Sequence, residues 1–208
     1  MRFVERGLEV EDPYRVDVRG DLSFGSNVRI EVNVIFNGKV SLGNDVTIGA
    51  NCIIEDSAIE DGVTIADFTT VSGSRVGSGS RIGPYARLRS GSEIGASCQI
   101  GNFVETKEVT MGSGCKINHH SFVGNATLGE GVVIGAGSIT CNHDGKGVNP
   151  TVIEDYAYVG SGVMLIAPVR IGRLAMIAAG SNITMDVPPN MLAICRTKDV
   201  VLKPRPAS

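Results

Sequence analysis

The sequence predicts an all-β chain wound as a parallel β-helix of about nine coils with one inserted loop, and three observations predict it. A bulky apolar residue followed by glycine recurs along the whole chain. These apolar leaders step by six residues within a triplet. Successive triplets then begin 17 or 18 residues apart, with one step of 25. Helical amphipathicity has no period of six, and a hairpin meander does not hold a step of 17 to 18. Three short strands per coil, with a corner after each, explain both numbers.

The doublets run Phe24-Gly25, Leu42-Gly43, Ile48-Gly49, Val76-Gly77, Ile82-Gly83, Ile94-Gly95 and Ile100-Gly101. They continue through Met111-Gly112, Val123-Gly124, Leu128-Gly129, Ile134-Gly135, Val159-Gly160 and Ile171-Gly172. Glycine after each leader is expected to supply the backbone freedom of a corner. The first leaders of the coils are Phe24, Leu42, Ile59, Val76, Ile94, Met111, Leu128, Ile153 and Ile171. With a smaller residue four positions later, such as Val46, Val63, Cys98, Cys115, Val132 or Ala157, they are expected to point inward and stack. Nine coils at the spacing of neighbouring strands make a prism about 40 Å long.

The ends and the irregular step set the organisation. Residues 1–18 are charged and carry Asp12-Pro13, which reads as a short helix and linker. Residues 19–186 form the prism, and 187–208, opening on Val187-Pro188-Pro189, form a tail. The step of 25 places about eight extra residues outside the lattice, so 141–152 is expected to loop out. An inserted loop on a regular scaffold is a common seat of function.

Composition narrows the function. A net charge of −3 offers no basic field for nucleic acid or an anionic membrane surface. Tryptophan is absent and aromatic residues are 5% of the chain, which suits a repetitive β fold with tight corners. No apolar run approaches the roughly 18 residues of a membrane span, and no secretory signal opens the sequence. The five cysteines lack CxxC spacing and read as reduced thiols of a cytoplasmic protein.

On this lattice, residues at equal distance from their leaders lie one above another. Thirteen positions on, Arg89 stacks on Lys107, two cations with no obvious carboxylate between them; they are either solvated surface charges or a site for a phosphate or carboxylate. Eight positions on, His119 is followed by Ala136, Ser161 and Ala179. A histidine thus heads a groove of small side chains that suits a thin, extended ligand arm. Glu105, one coil earlier, is placed to hold the imidazole in one tautomer. His120 reads as surface filler. Adjacent strand residues face opposite ways, so His119, His120 and His143 do not read as a metal site.

These residues resemble a known family. Arg-Leu-Arg-Ser-Gly (87–91), Gly-Asn-Phe-Val-Glu-Thr-Lys (101–107), His119, Ile-Gly-Ala-Gly-Ser-Ile-Thr-Cys-Asn (134–142) and Val-Gly-Ser (159–161) carry the likeness. They look like the acetyltransferase domain of bacterial bifunctional N-acetylglucosamine-1-phosphate uridyltransferase/glucosamine-1-phosphate acetyltransferase, over nearly the whole chain. The resemblance implies a left-handed winding and a homotrimer with active sites between subunits. It implies acetyl-CoA as co-substrate, with no catalytic metal. His119 would then be the general base, Glu105 its support, and the Ala136 N–H a donor to the developing oxyanion. Asn142 and His143 would close the coenzyme pocket, Ala136, Ser161 and Ala179 would line the pantetheine arm, and Arg196 would meet the coenzyme phosphates. Arg89 and Lys107 would hold the acceptor's phosphate. The family's nucleotidyltransferase domain has no counterpart in these residues, so uridyl transfer is not expected of them.

Departures from the family pattern cluster on the acceptor side. His-Leu-Thr-Tyr becomes His119-His-Ser-Phe122, Asn-Ile-Gly-Ala-Gly becomes Val133-Ile-Gly-Ala-Gly, and Cys-Asn-Tyr-Asp-Gly becomes Cys141-Asn-His143-Asp-Gly. A family lysine is here Val148, with Lys146 two residues away. Hydrogen bonds to charged groups contribute about 1.5–3 kcal/mol each. Losing two or three would weaken acceptor binding by something like a hundredfold to over ten-thousandfold. The expectation is therefore a CoA-dependent N-acyltransferase whose amine acceptor, an amino sugar or a relative, has changed around Phe122, Val133 and Lys146. Two rivals stand beside it: unaltered glucosamine-1-phosphate acetylation, with Lys146 and His143 covering the lost contacts, and a retired trimeric scaffold. An acyl group longer than acetyl stays open.

Overall fold

Apolar residues every second position within short strands, turned by residues that tolerate a left-handed backbone, force the chain to coil upon itself. In the computed structural model, which describes residues 3–5 and 7–195, the strands stack in parallel register over about ten turns, save for the antiparallel pair of Phe3–Glu5 with Leu8–Val10. One face is a sheet of 12 strands that climbs in order from Phe3–Glu5 to Leu192–Ala193. The other two faces merge into a single sheet of 15 strands. They merge because Val16–Phe24, Val34–Leu42, Glu105–Met111 and Phe122–Leu128 keep their hydrogen bonds around a corner.

The predicted register holds. Ile82 pairs with Ile65 and Ile100, and Ile134 with Ile117 and Val159. The inward columns are fully packed: Val46, Ile48, Val63, Ile65, Ile82 and Val132 have no exposed surface. Cys52, Cys98 and Cys115 are buried within them, and all five thiols are free. Burial pushes the Cys52 thiol up to about 11, so it serves as a small apolar filler.

Apart from Gly83 (φ +89), the glycines after the leaders act differently from the expectation. At Gly43 a Cβ would lie 2.2 Å from Asp61 Oδ1, an oxygen that accepts from the Asn44 N–H at 2.7 Å. Space for the next coil, rather than a left-handed backbone, excludes a side chain there. The positive φ angles fall two residues later, at Asp45 (φ +56), Ser97 (φ +56) and Tyr156 (φ +57). Where a glutamate replaces that glycine, it becomes a clasp. Glu60 binds Arg75 and the N–H and hydroxyl of Ser78, and Glu154 binds Arg170 and the Arg173 N–H. The Ser78 hydroxyl and Arg75 hold Glu60 below its ordinary value; the Arg173 N–H and Arg170 do the same for Glu154.

The two ends correct the expected boundaries. The described residues of 1–18 do not form a helix and linker: Leu8–Val10 pairs in parallel with Val28–Ile30, and Val16–Phe24 with Val34–Leu42. Val10 is buried while Glu9 pairs with Arg29, an alternation that belongs to a strand. The helical content there is one 3-10 turn, Pro13–Arg15, capped by Asp12 onto the Tyr14 N–H. At the other end Val187 is buried and Leu192–Ala193 pairs with Met176–Ile177, so the prism continues into the expected tail. The lattice extends past both predicted limits, which raises nine coils to about ten. No helix among the described residues is long and apolar enough to cross a membrane.

Candidate active site

Three corner columns run along the prism, and the one nine residues after each leader organises the site. Its members are Asn33, Asn51, Phe68, Tyr85, Phe103, His120, Gly137, Gly162 and Gly180, every one with a positive φ. The residues just before them form a second column. The Gly137 N–H donates to His119 O at 2.8 Å, the Gly162 N–H to Ala136 O at 2.8 Å, and the Gly180 N–H to Ser161 O at 2.8 Å. His119, Ala136, Ser161 and Ala179 therefore lie on successive coils, as the spacing predicts. His119, Ser161 and Ala179 are exposed and Ala136 is half-buried. Gly135 and Gly137 donate to Val159 O and His119 O, which leaves the Ala136 N–H between them outside the ladder of coil-to-coil bonds.

The His119 ring rests against Gly101, where a Cβ would lie 2.8 Å from Nδ1. A side chain there would push the imidazole off the corner. Among the described residues no hydrogen bond joins His119 to Glu105. The Glu105 carboxylate instead receives Arg89 at 2.8 Å and lies 3.8 Å from Arg87. Glu105 pairs in register with Arg87, and Arg89, two residues on, points the same way and reaches it diagonally. The expected pair of uncompensated cations is thus corrected: Arg89 has a carboxylate partner, and Lys107 lies 3.9 Å from Glu108. Their stacking stands, with the Arg89 N–H donating to Thr106 O at 2.9 Å. Both cations line a surface cavity of about 420 Å³ with Ser72 and Thr70.

Phe122 lies beside Glu105 on the next coil. Its ring covers Gly124, where a Cβ would meet the ring 2.6 Å away and Asn142 Nδ2 at 3.1 Å. Asn142 donates to Asn125 Oδ1 at 2.6 Å, and Asn125 in turn donates to Glu108. A polar chain thus ties the root of the inserted loop to the cationic cavity. Val133 is elsewhere, on the 12-stranded face between Lys116 and Tyr158.

The inserted loop leaves the prism after Ile139–Cys141 and returns at Thr151–Ile153. Its tip is built around Asp144, which accepts from the Lys146 and Gly147 N–H groups at 2.8 Å each and from Asn149 Nδ2 at 3.1 Å. Those donors, Gly147 first, hold the carboxyl down to about 2. His143 Nδ1 accepts from the Gly145 N–H at 3.0 Å, so a neutral ring carries its proton on Nε2. Lys146 is exposed at the turn, and Val148, bridged to His143, is 52% exposed.

Val133 apart, the structure therefore separates the expected residues that it describes into three groups. His119, Ala136, Ser161 and Ala179 share one corner; Arg89, Glu105, Lys107 and Phe122 share the adjoining face; Asn142, His143 and Lys146 stand at that face's far corner. Arg196 lies outside the described residues. The sequence reading missed the row of rings at Phe68, Tyr85, Phe103 and His120, although the same lattice arithmetic, taken nine residues from each leader, finds it. It also missed the ion pair of Glu105 with Arg89, which needs side-chain reach as well as register. No group of three or more His, Cys, Asp or Glu residues among the described residues is placed to hold a metal ion.

Comparison with known proteins agrees with this architecture. The GMPPB C-terminal domain model matches residues 18–93, and the bacterial transferase hexapeptide (six repeats) model matches residues 150–184. The chain is 49% identical over 197 residues to the bifunctional protein GlmU of Marinobacter nauticus, covering 95% of this chain and 43% of that protein. It is 52% identical over 195 residues to the GlmU of a Psychrobacter species, covering 94% of this chain and 43% of the relative. The chain thus spans less than half the length of these relatives. Among solved structures, the UDP-N-acetylglucosamine acyltransferase from Campylobacter jejuni matches with a TM-score of 0.66 at 20% identity, over 88% of this chain and 70% of that one; this shows the shared fold. By sequence and by its stacked repeats, the chain is the counterpart of the C-terminal part of the bifunctional GlmU proteins and carries the bacterial transferase hexapeptide repeat.

Proposed function

We propose that the chain transfers an acyl group, acetyl first, from CoA to the amine of an amino sugar or a closely related acceptor. The observation that carries this reading is the corner column in which His119 heads Ala136, Ser161 and Ala179 with no large side chain beyond it. A pantetheine arm laid along that column brings its thioester to the imidazole. His119 takes a proton from the amine as nitrogen attacks the thioester carbonyl, and the Ala136 N–H faces the oxyanion. Collapse of the tetrahedral intermediate expels CoA thiolate, to which the imidazolium returns the proton.

Arg89 and Lys107, in one cavity with Glu105 steadying Arg89, are the anion-binding part of the acceptor site. One chain holds these cations on one face beside the His119 corner and Val133 on the other face that meets it there. In this reading the homotrimer with shared sites lets a second copy of the chain bring its Val133 and its loop to an acceptor seated at Phe122. Phe122 and Val133 present apolar surface where the family pattern has a hydroxyl and an amide, which supports an acceptor other than glucosamine 1-phosphate.

The test is CoA release followed spectroscopically with acetyl-CoA, glucosamine 1-phosphate and a panel of amino sugars. Turnover of another amine well above that of glucosamine 1-phosphate is expected. Fast turnover of glucosamine 1-phosphate alone would restore the unaltered reaction, with Lys146 and His143 supplying the missing contacts. If acetyl-CoA does not raise the melting temperature, the chain is a scaffold.

A further inference from the structure

Four rings stack along the corner that carries His119. Phe68 and Tyr85 have centroids 4.8 Å apart and planes within 1°; Tyr85 and Phe103 follow at 5.3 Å, and Phe103 and His120 at 4.9 Å. The array ends at His120 because the next corner residue is Gly137, which has no ring to add. All four hold a left-handed backbone, with φ between +55 and +58, a conformation that side chains bearing a Cβ adopt reluctantly. Each coil's ring contact with the coil below offsets part of that reluctance.

The terminal ring is the one adjacent to His119. None of the described hydrogen bonds reaches the His119 imidazole, so its direction follows from the corner backbone and from its seat against Gly101. That backbone is held at four points. The His120 N–H donates to Asn102 O at 3.1 Å, the Gly137 N–H donates to His119 O at 2.8 Å, the Ser121 hydroxyl donates to His119 O at 3.4 Å, and the His120 ring lies on Phe103. Two of these depend on a side chain, the Ser121 hydroxyl and the His120 ring. Only the ring lies outside the corner's own hydrogen bonds, on the residue that shares a peptide bond with His119.

We propose that His120 is a positioning residue for His119, and that its stack on Phe103 keeps the neighbouring imidazole aimed at the head of the small-residue groove. The inference rests on the reading of His119 as the general base. His120 never meets the reacting atoms; it acts by clamping the 119–120 peptide against the ring array below.

Three variants test it. His120→Asn keeps a residue at ease in the left-handed region but removes the ring; His120→Phe keeps the ring; Phe103→Leu removes the platform. The Asn and Leu variants should each lower kcat about tenfold with the KM for acetyl-CoA unchanged. The double variant should be no slower than either, and Phe at 120 should recover kcat to within about threefold of wild type. Wild-type kcat in His120→Asn, or a His120→Phe variant as slow as the Asn variant, would overturn the proposal. A second readout needs no turnover. The His119 ring protons should give one sharp set of NMR signals in wild type and His120→Phe, and shifted or broadened signals in His120→Asn. Unchanged His119 signals in the Asn variant would sink the clamp by themselves. An inactive wild type that still shows this NMR response would remove the acyltransfer reading and leave the clamp standing.

Discussion

The corner beside His119 has one backbone and two chemistries. From Phe68 to His120 it carries four stacked rings, and from Gly137 to Gly180 it carries no side chain at all, yet φ stays between +55 and +72 throughout. The coil requires a left-handed residue at that place and says nothing about what projects from it. Rings, where present, cover the corner and stiffen it; glycines strip it and leave room for a ligand. His119 stands at the boundary between the two halves. The difference teaches that this scaffold constrains its inner columns and its φ angles, while outward side chains remain free to specify a site.

The largest effect that sharpens this contrast is loss of the boundary residue. His119→Ala should lower kcat by about 10²–10⁴ without moving the melting temperature, since the side chain is exposed. An unaffected kcat would remove the proposed base. The interior should not distinguish the halves. Ile82, in the Tyr85 coil, and Ile134, in the Gly137 coil, are 0% and 2% exposed, so each change to Ala should cost about 2–5 kcal/mol in denaturant unfolding. A marked inequality would mean that the ringed and bare halves differ inside as well as outside.

Carrying the ringed chemistry into the bare half is a smaller perturbation. Gly162 has nothing within 4 Å of an added Cβ, at φ +66. Gly162→Phe should fold at a cost of about 1–2 kcal/mol for the left-handed backbone. The ring should obstruct the groove and raise the KM for acetyl-CoA about tenfold; an unchanged KM would place the coenzyme elsewhere. The smallest effect concerns the inserted loop. Asp144 is held down to about 2 by amide donors, so its contribution to loop order is complete above its unfolded value of about 3.9. That contribution is lost as pH falls through about 2. NMR shifts of the Lys146 and Gly147 amides should titrate with a midpoint near 2. A midpoint at the ordinary carboxyl value would show that these hydrogen bonds do not persist in solution.

Much of the fold was legible because the period is enforced by burial. A one-residue slip turns Val46, Ile65 or Val132 outward, so inward columns leave an unbroken trace in the sequence. The ends were less legible, since Leu8 and Val10 alternate over too few residues, among charges, to declare a strand. The site was legible as columns: His119 over its small-residue run, and Arg89 over Lys107. It was not legible as contacts. Glu105 reads equally well as a partner of His119 or of Arg89 on spacing alone, and side-chain reach across the pleat gives it to Arg89.

By itself, then, the sequence determined the coil, its register, the inserted loop and the place of His119 at the head of a column of small residues. These follow from local periodicity, because each coil repeats the demands of the one before. Tertiary structure alone decided which residues bear the left-handed backbone, that Gly43 serves close approach, and that Arg89 is paired. It alone set Phe122 over Gly124 beside Asn142, and rings from Phe68 to His120 into one stack. Those outcomes depend on distances between side chains on different coils, and a spacing of 17 or 18 residues brings such chains together without stating how they will meet.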